Sequence, residues 1–396
     1  MKFRVERDVF AEAVAWAARS LPPRPPVPVL AGLLLEAGNA SSTSGGLALS
    51  SFDYEVSANA SIDATVAEAG KVLVSGRLLA EISRSLPAQP VDVALDGARV
   101  VLSCGSARFT LPTLPVDDYP TLPEMPAVAG TVGADLFATA VGQVAIAAGR
   151  DDTLPVLTGV RIEIEGERVT LAATDRYRLA VRELQWQPER AGMSAIALVP
   201  ARTLADTAKA LTGGAQVSIA LATADDGGAQ GLIGFSGRAA AGQTGERRTT
   251  TRLLDGEYVK YRSLLPDDSQ ANAQIETASF VEAVKRVALV APRNTPVRLT
   301  FTGDQVMLEA GTGEDAQASE TLDARFESRD GSTEEFSIAF NPSYLLDGLG
   351  AIESETARLE FTTPTKPAIL RASKASADTA SGDDYRYLLM PVRLSG

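Results

Sequence analysis

The sequence predicts an α+β fold made of three tandem copies of one domain, each with antiparallel sheets and two helices. The first observation is a repeated pattern, Phe-x-x-Ala-Val, in the segments FAEAV, FATAV and FVEAV that begin at Phe10, Phe137 and Phe280. The second is that strands and a further helix follow each copy in the same order. The third is size, because 396 residues with 45% apolar content are enough for several domains with their own cores.

Each Phe-x-x-Ala-Val segment opens a stretch with apolar residues at i, i+3 and i+4, which is typical of an amphipathic helix. A Pro-Val pair and an apolar strand follow, in PVLAGLLLE from Pro28, PVLTGVRIE from Pro155 and PVRLTF from Pro296. The first two copies keep a spacing of 127 residues, both from Phe to Phe and from Pro to Pro. A period of this length indicates whole domains and not the short units of a solenoid.

A second helix is predicted later in each copy, directly after a strand. It lies in VLVSGRLLAEISRSL from Val72, ALVPARTLADTAKAL from Ala197 and SIAFNPSYLLDGLGAI from Ser337. Arg77 and Arg202 stand at the same position of the first two copies. The alternating strands that follow favour antiparallel sheets that each carry helices on one face.

The predicted domain boundaries fall in two Pro-containing extended segments, TLPVDDYPTLPEMP from Thr113 and LLDGEYVKYRSLLPDD from Leu253. We therefore expect domains at residues 1–125, 126–253 and 254–396. Tracts rich in Gly, Ala or Ser are predicted to be mobile surface loops. They cover residues 224–231, 237–246 and 374–384.

Composition excludes several classes of site. The chain has no histidine and one cysteine, Cys104, which excludes His-based catalysis, Cys-rich zinc sites and internal disulfides. Asp-Asp pairs remain, but they lie in connections where Asp favours turns. These pairs are at 117–118, 151–152, 225–226, 267–268 and 383–384. We expect no metal or other cofactor. The amino terminus has no apolar signal core, and no window is long enough to span a bilayer, so a cytoplasmic protein without a membrane partner is expected.

The net charge of −13 argues against nonspecific nucleic-acid binding if the charge is spread evenly. The predicted helices are together slightly basic, however, so the acidic residues are concentrated elsewhere. Helices that face the same way in all three domains could touch phosphates along one surface without reading sequence. Ordinary variation in charge among solvated helix faces would also explain the slightly basic character of the predicted helices.

Size adds a geometric constraint on any ring. A compact domain of this length has a diameter of roughly 36 Å, and six such domains in a hexagon leave a hole of roughly the same width. A hydrated duplex can pass through that hole, whereas three domains leave almost none. A ring built from this chain should therefore be a dimer.

Three motifs carry a family resemblance: TDRYRLA at 174–180, NPSYLLDGL at 341–349 and YRYLLMPVRL at 385–394. In this order and with the triplicated unit, the chain resembles the bacterial sliding clamps, the beta subunit of DNA polymerase III, over essentially its whole length. The resemblance implies a non-catalytic processivity factor that forms a head-to-tail ring homodimer around duplex DNA, with helices inside and sheets outside. It implies as partners the DNA polymerase III alpha subunit, the clamp loader and other proteins with a clamp-binding motif.

The resemblance also implies a pocket for short linear peptides between the second and third domains, open to small-molecule or cyclic-peptide inhibitors. Aliphatic side chains and Met would form its adaptable floor, and Arg and Asn would orient the peptide. The implied pocket residues are Leu157, Thr174, Arg176, Tyr177, Arg178, Leu179, Val259, Ser263, Leu264, Asn341, Tyr344, Thr365, Pro367, Leu388, Leu389, Met390, Pro391, Val392 and Arg393. The family often has Pro at the position of Val259, and Arg or Thr at that of Ser263.

For DNA, the resemblance and the helix positions point to basic residues that would make weak, salt-dependent phosphate contacts. They are Arg24, Arg77, Arg84, Arg150, Arg202, Lys209, Lys285 and Arg286. For ring closure, the resemblance places Phe109 and Leu111 on an edge strand of the first domain, facing Leu289 and Val290 of a second copy. Pairing two such edges also removes an aggregation hazard.

Two other functions are considered. An enzyme would use Asp175 as general acid or base with Arg176 and Arg178 as anion clamps, but Asp53 occupies the same position in the first repeat, which predicts a turn residue. Alternatively, the chain is a second-copy clamp whose altered pocket, at Val259 and Ser263, gives tolerance to clamp-directed antibiotics. If Arg178 belongs to a peptide-binding rim, Arg178→Ala should weaken peptide binding and leave fold and dimer intact.

Overall fold

The computed structural model describes residues 1–38, 46–221, 231–238, 245–266, 268–291, 295–311, 316–331, 335–373 and 384–393. Apart from their ends, the predicted mobile loops at 224–231, 237–246 and 374–384 lie outside these residues, as do Asp225, Asp226, Asp267 and Asp383.

Six α-helices form in this part of the chain, two for each sequence repeat, as predicted. They are α1 (Arg7–Ala17), α2 (Gly76–Ser85), α3 (Ala134–Ala145), α4 (Ala201–Ala210), α5 (Thr277–Ala288) and α6 (Pro342–Gly350). The repeated Phe residues of α1, α3 and α5 are at most 1% exposed, because they begin the apolar stripe that each helix buries. Arg77, Arg202 and Ser343 are each the second residue of their helix, which confirms the register of the repeats. None of the described helices is both long and apolar enough to cross a bilayer.

The strands alternate with these helices, and every pairing between strands named below is antiparallel, as predicted. The first group is β1 (Lys2–Val5), β2 (Gly32–Ala37), β3 (Leu47–Phe52), β4 (Val56–Ile62), β5 (Thr65–Glu68), β6 (Gly70–Ser75), β7 (Val91–Asp96), β8 (Arg99–Cys104) and β9 (Ala107–Leu114). The second is β10 (Val128–Gly133), β11 (Gly159–Glu165), β12 (Arg168–Thr174), β13 (Arg178–Gln185), β14 (Gln187–Pro188), β15 (Ser194–Pro200), β16 (Gln216–Leu221), β17 (Leu232–Arg238) and β18 (Glu246–Arg252). The third is β19 (Ala271–Glu276), β20 (Val297–Thr302), β21 (Gln305–Ala310), β22 (Ala318–Asp323), β23 (Arg325–Ser328), β24 (Phe336–Phe340), β25 (Thr356–Phe361), β26 (Ala368–Ala372) and β27 (Asp384–Leu389).

The two Pro-Val pairs at 28 and 155 are not the first residues of strands. Pro28–Ala31 and Pro155–Thr158 form short 3₁₀ helices, and the strands begin at Gly32 and Gly159. Proline suits the first turn of a helix because it has no N–H to leave unpaired.

The chain divides into two compact units. The first contains residues 1–138, 186–199 and 203–253. Its sheet has the strand order β14-β10-β16-β17-β18-β4-β3-β2-β6-β9-β8-β7-β1-β5. Helix α1 packs on β3 and β4 and against α2. Strand β18 pairs with β4 along six residues, so the sheet runs continuously from one sequence repeat into the next.

The second unit contains residues 139–185, 200–202 and 254–396. One of its sheets includes the run β11-β12-β13-β27-β26-β25-β19-β23, and the other has the order β22-β21-β20-β24. Strand β13 pairs with β27 here as β4 pairs with β18 in the first unit. Helices α5 and α6 pack together, and the rings of Phe301, Phe336 and Phe361 form an aromatic core beside them.

Candidate functional site

The turn between β12 and β13 is held by the carboxylate of Asp175. One of its oxygens accepts hydrogen bonds from the backbone N–H groups of Tyr177 at 3.0 Å and Arg178 at 3.1 Å. In the first repeat, Asp53 accepts from the amides two and three residues later in the chain, at 3.0 and 2.7 Å. The prediction that this Asp is a turn residue of the repeat is confirmed, because both copies use the same oxygen in the same way.

Arg178 is the centre of a buried ionic network. Its side chain is 5% exposed, and its guanidinium donates to Asp175 at 3.0 Å, Asp347 at 2.5 Å and the Tyr387 hydroxyl at 3.3 Å. The guanidinium carbon also lies 4.5 Å from the centre of the Tyr344 ring, a cation–π contact. Arg178 therefore joins the turn, helix α6 and strand β27.

The groups around Arg178 favour its charged form. Burial by itself lowers the pKa of Arg178, but Tyr387 and Asp347 outweigh burial and raise it above its ordinary value. Burial raises the pKa of Tyr387, so its hydroxyl stays protonated and donates to the carbonyl of Tyr344 at 3.0 Å. Against the expectation from the sequence that Arg178→Ala leaves the fold intact, we now expect it to destabilise the fold, because the substitution leaves carboxylates without their partner.

A cavity of about 580 Å³ opens beside this network, within the second unit. Its walls come from the segment after α3, the β12–β13 turn and the first turns of α6. The lining residues are Ala148, Gly149, Arg150, Asp151, Leu154, Leu157, Asp175, Arg176, Tyr177, Arg178, Ser343, Tyr344 and Asp347. The rings of Tyr177 and Tyr344 stack at 6.3 Å between centroids, and Tyr177 is 56% exposed. The cavity thus combines apolar and aromatic surface with arginine side chains in its lining. Such a site suits a ligand that is partly apolar and partly charged.

Helix α6 is positioned by its own sequence. Asn341 caps it, since its side-chain oxygen accepts from the N–H groups of Ser343 at 2.9 Å and Tyr344 at 3.3 Å. Pro342 follows at the first helical position, where it is favoured. Tyr344 and Asp347 are three residues apart, so they share one helix face, and that face meets Arg178.

Five of the predicted pocket residues line the cavity: Leu157, Arg176, Tyr177, Arg178 and Tyr344. Four others, Thr174, Leu179, Leu388 and Leu389, are buried. Their side chains shape the structure under the site and do not present surface to a ligand. The buried hydroxyl of Thr174, for example, donates to the carbonyl of Arg178 at 2.6 Å.

The tail after β27 runs beside the turn. Met390 donates its N–H to the carbonyl of Tyr177 at 2.9 Å, and Val392 donates to the carbonyl of Ala339 at 2.8 Å. Because Ala368 pairs with Leu389, the β25–β26 connection ends at the same edge of the sheet. The predicted residues Thr365, Pro367, Met390, Pro391, Val392 and Arg393 are all at least partly exposed there, although none lines the cavity.

The segment before β19 carries the other predicted residues, Val259, Ser263 and Leu264. All three are exposed, Leu264 by 50%. This segment is attached to the sheet through Glu163 of β11, which accepts from the Tyr261 hydroxyl at 2.9 Å and forms an ion pair with Arg262.

Acid should weaken this attachment. Burial by itself raises the pKa of Glu163, but hydrogen bonds from Arg161 and Arg262 outweigh it and hold the pKa below 4.5. A carboxyl whose folded pKa is lowered contributes stability above its unfolded pKa and loses it as the pH falls through the folded value. We expect Glu163→Gln to lower the free energy of unfolding by about 1–2 kcal/mol at pH 7 and to flatten its fall below pH 4.5.

Urea denaturation between pH 3 and 7 measures this effect. Glu165→Gln is the matched control. Glu165 is 61% exposed, and its ion pair with Arg262 is long, 3.9 Å between nitrogen and oxygen, so the pair should contribute little to stability. Equal acid slopes for Glu163→Gln and the unmodified chain would contradict the assignment.

Several residues that line the cavity are not among the pocket residues predicted from the sequence. Leu154, Asp151 and Asp347 were not named as site residues, and Arg150 was assigned to DNA although it lines the cavity. Leu154 could have been found because it is an apolar residue in an otherwise polar loop. Asp347 could have been found from its i+3 spacing to Tyr344.

The predicted DNA contacts are all exposed, on or near the helices. Three have internal partners: Arg77 donates to the carbonyl of Pro22 at 2.9 Å, Lys285 pairs with Glu282 at 2.8 Å and Arg286 with Glu320 at 2.6 Å. The structure shows no ion pair of Arg24, Arg84, Arg150, Arg202 or Lys209 with the residues it describes.

Of the predicted contacts for ring closure, Leu289 is 84% exposed at the end of α5, and Phe109 and Val290 are partly exposed. Leu111 is 1% exposed and belongs to the core. Its side chain therefore faces the core, since alternate residues of a strand face opposite sides of the sheet, and its contact with a second copy stays a prediction.

The comparisons with known proteins agree with this architecture. Three family models match in order: the N-terminal domain of the DNA polymerase III beta subunit over residues 1–123, its central domain over 131–260 and its C-terminal domain over 262–393. The beta sliding clamp of Streptomyces coelicolor is 62% identical over 396 residues and covers 100% of both chains. The beta sliding clamp homolog GriR of Streptomyces muensis is 44% identical over 393 residues, 99% of both.

Solved structures agree over the full length. The sliding clamp of Bacillus subtilis superposes with a TM-score of 0.85 at 25% identity and covers 100% of both chains. The Pseudomonas aeruginosa clamp solved bound to griselimycin has a TM-score of 0.85 at 26% identity, with the same coverage. Since both the sequence matches and the fold span the whole chain, this protein belongs to the DNA polymerase III beta subunit family, the bacterial sliding clamps.

Proposed function

We propose that the chain is a processivity factor, a ring that encircles duplex DNA without sequence specificity and tethers the replicative polymerase and repair proteins. The observation that carries this proposal is the 62% identity to a beta sliding clamp over all 396 residues, with its three domains in order. The fold supplies the required parts, namely two helices in each repeat and sheets that continue from one repeat to the next.

The proposed ring is a head-to-tail dimer, with domains near 1–125, 126–253 and 254–396. Two sheet edges support this arrangement. Residues 107–112 of β9 pair only with β8 among the described strands, and β22 pairs only with β21. An unpaired edge on the first repeat and another on the third can join two copies. The exposed Leu289 lies at the end of α5, which packs against β22.

The proposed DNA surface consists of Arg24, Arg77, Arg84, Arg150, Arg202, Lys209, Lys285 and Arg286. The exposed arginines and lysines without internal partners are available for phosphates, and such contacts weaken steeply with salt. A ring that slides needs weak, sequence-independent contacts of this kind.

The proposed peptide site is the cavity together with the exposed tail and β25–β26 residues beside it. Its partners would be the polymerase alpha subunit, the clamp loader and other proteins that present a short linear peptide. The Pseudomonas aeruginosa clamp was solved bound to griselimycin, which supports the proposal that small-molecule or cyclic-peptide inhibitors bind this chain as well.

The proposed role is non-catalytic. Both oxygens of Asp175 hold the turn, one by accepting from two backbone amides and the other by accepting from Arg178, which supports a structural role for this carboxylate. The second-copy alternative is not favoured over a general clamp, because identity to the beta sliding clamp of Streptomyces coelicolor exceeds that to GriR, 62% against 44%.

Retention on DNA tests the proposal. Loaded onto plasmid circles, the protein should stay bound through gel filtration, and it should be lost once the plasmid is linearised. Sedimentation should give a dimer. Leu289→Asp should lower both the dimer fraction and retention on circles, whereas Ile196→Asp, at a residue 61% exposed elsewhere, should change neither. A monomer that shows no difference between circles and linear DNA would rule out the ring.

A further inference from the structure

The carboxyl end of helix α1 is held firmly within the first unit. The hydroxyl of Ser51 donates to the carbonyl of Ala17 at 2.5 Å, and the hydroxyls of Ser20 and Ser51 are hydrogen-bonded to each other. Leu21 is 7% exposed and fills the space beside Gly76, where a Cβ would lie 2.5 Å from a methyl group of Leu21. The segment that follows α1 therefore has a fixed position.

One arginine of this segment lies over an aromatic ring. Arg19 belongs to a short 3₁₀ turn, Ala18–Ser20, that extends α1. Its guanidinium carbon is 5.6 Å from the centre of the Trp16 ring, a cation–π contact. Trp16 is 6% exposed, whereas Arg19 is exposed and has no hydrogen bond or ion pair with the residues that the structure describes. The ring thus orients the guanidinium and leaves its N–H donors open.

The fold of the repeat does not require this arrangement. Counted from the repeated Phe, the equivalents of Arg19 in the second and third repeats are Ile146 and Leu289. Neither of these repeats has an aromatic residue at the position of Trp16. Helices α3 and α5 form without the pair, so the fold alone does not explain it. The first repeat alone carries an oriented cation at this position.

Two further cations lie beside Arg19. Arg24 is exposed five residues later, and the exposed Arg77 is attached to the same segment through the carbonyl of Pro22. None of the three arginines forms an ion pair with a carboxylate in the described part of the chain. Arg19 is thus continuous with a surface already proposed to bind DNA. In a chain with a net charge of −13, such a cluster is a local attraction for a polyanion.

We propose that Arg19 is a further DNA-contact residue, positioned by the Trp16 ring to bind a duplex phosphate beside those bound by Arg24 and Arg77. The proposal rests on the clamp function proposed above and adds Arg19 to its DNA surface. A guanidinium donates to phosphate oxygens through its edge, while its face stays on the ring. Because the side chain is oriented before DNA arrives, less conformational entropy is lost on contact.

The salt dependence of binding tests the contact. A labelled duplex of about 30 base pairs is titrated with the full-length protein at about 50 to 200 mM salt, followed by fluorescence anisotropy. In Arg19→Gln, the slope of log K against log salt should become shallower by about 0.9, because one phosphate contact is lost. The affinity advantage of the unmodified protein should shrink about threefold over this range. Duplexes of unrelated sequence should behave alike.

Tryptophan emission tests the positioning role. A phosphate bound to Arg19 changes the charge beside the Trp16 ring, so the duplex should change the emission of the unmodified protein. The chain has two tryptophans, and Trp186 contributes equally in every variant. The change caused by DNA should be absent in Arg19→Gln.

Arg298→Gln is the matched control, since it removes the same charge from an exposed position on strand β20. It should change neither the salt slope nor the emission response. Arg19→Lys keeps the charge and should keep most of the slope. All three variants should melt at the temperature of the unmodified protein, because both positions are exposed.

The outcomes are distinct. An unmodified protein that neither binds the duplex nor stays on circular DNA contradicts the clamp function itself. If the unmodified protein binds and Arg19→Gln keeps the full slope, or loses no more than Arg298→Gln, the contact role of Arg19 is overturned. A slope that falls in Arg19→Gln while DNA leaves the emission of the unmodified protein unchanged overturns the positioning role of Trp16.

Discussion

Arg178→Ala should lower the free energy of unfolding of the second unit by about 2–3 kcal/mol, and should weaken peptide binding as well. The substitution removes a side chain that is 5% exposed and bonded to two carboxylates. Asp175 is 14% exposed and loses its ionic partner, whereas Asp347 is 43% exposed and recovers part of its hydration. The loss should therefore lie at or just below the lower end of the range of about 3–5 kcal/mol for broken buried pairs.

Urea denaturation, followed by a probe in the second unit, measures the change. Arg150→Ala is the matched control, since Arg150 lines the same cavity but is exposed and should cost no more than about 0.5 kcal/mol. Peptide affinity is then compared at a temperature where both variants are folded. If Arg178→Ala proves as stable as Arg150→Ala, the buried network contributes nothing to the fold.

Gly348→Ala should displace helix α6 and cost about 3 kcal/mol. A Cβ at this position would lie 2.5 Å from two ring carbons of Tyr387 and 3.0 Å from a methyl group of Leu370. Both neighbours are fully buried, so neither side chain has space to move. The helix must shift instead, and it carries Tyr344 and Asp347 away from Arg178. Peptide affinity should fall together with stability.

The same helix offers a control for this prediction. A Cβ at Gly350 would meet no atom within 4 Å. Gly350→Ala should therefore leave stability unchanged or raise it by up to about 0.5 kcal/mol, through the helix propensity of alanine. Thermal and urea denaturation of both variants measure the difference. Equal midpoints for the two variants would show that the contact between Gly348 and Tyr387 is loose.

Much of the fold was predictable because the chain repeats itself. Helices α1, α3 and α5 were predicted from the apolar spacing of Phe-x-x-Ala-Val, and α2, α4 and α6 from the strands before them. The short 3₁₀ helices that begin at Pro28 and Pro155 were not predictable from the sequence pattern alone. A short apolar run that follows a proline is compatible with a 3₁₀ turn as well as with a strand.

The site was predictable in part. The role of Asp175 followed from its counterpart Asp53, because equal positions in a repeat form equal turns. The resemblance to sliding clamps named Tyr177 and Tyr344, which line the cavity. It named Leu179 and Leu388 in the same list, although both are buried, because a motif does not distinguish a residue that touches a ligand from one that supports it.

The sequence by itself determined the α+β class, the three repeats, the positions of their helices and the family. These features follow from local periodicity and from similarity between segments of the chain, and both are visible in the linear sequence. Only the tertiary structure decided that Arg178 is a buried centre of charge and that Asp347 and Leu154 belong to the cavity. Those facts depend on which side chains meet across about 170 residues of sequence, as Arg178 and Asp347 do, and on how much water each retains.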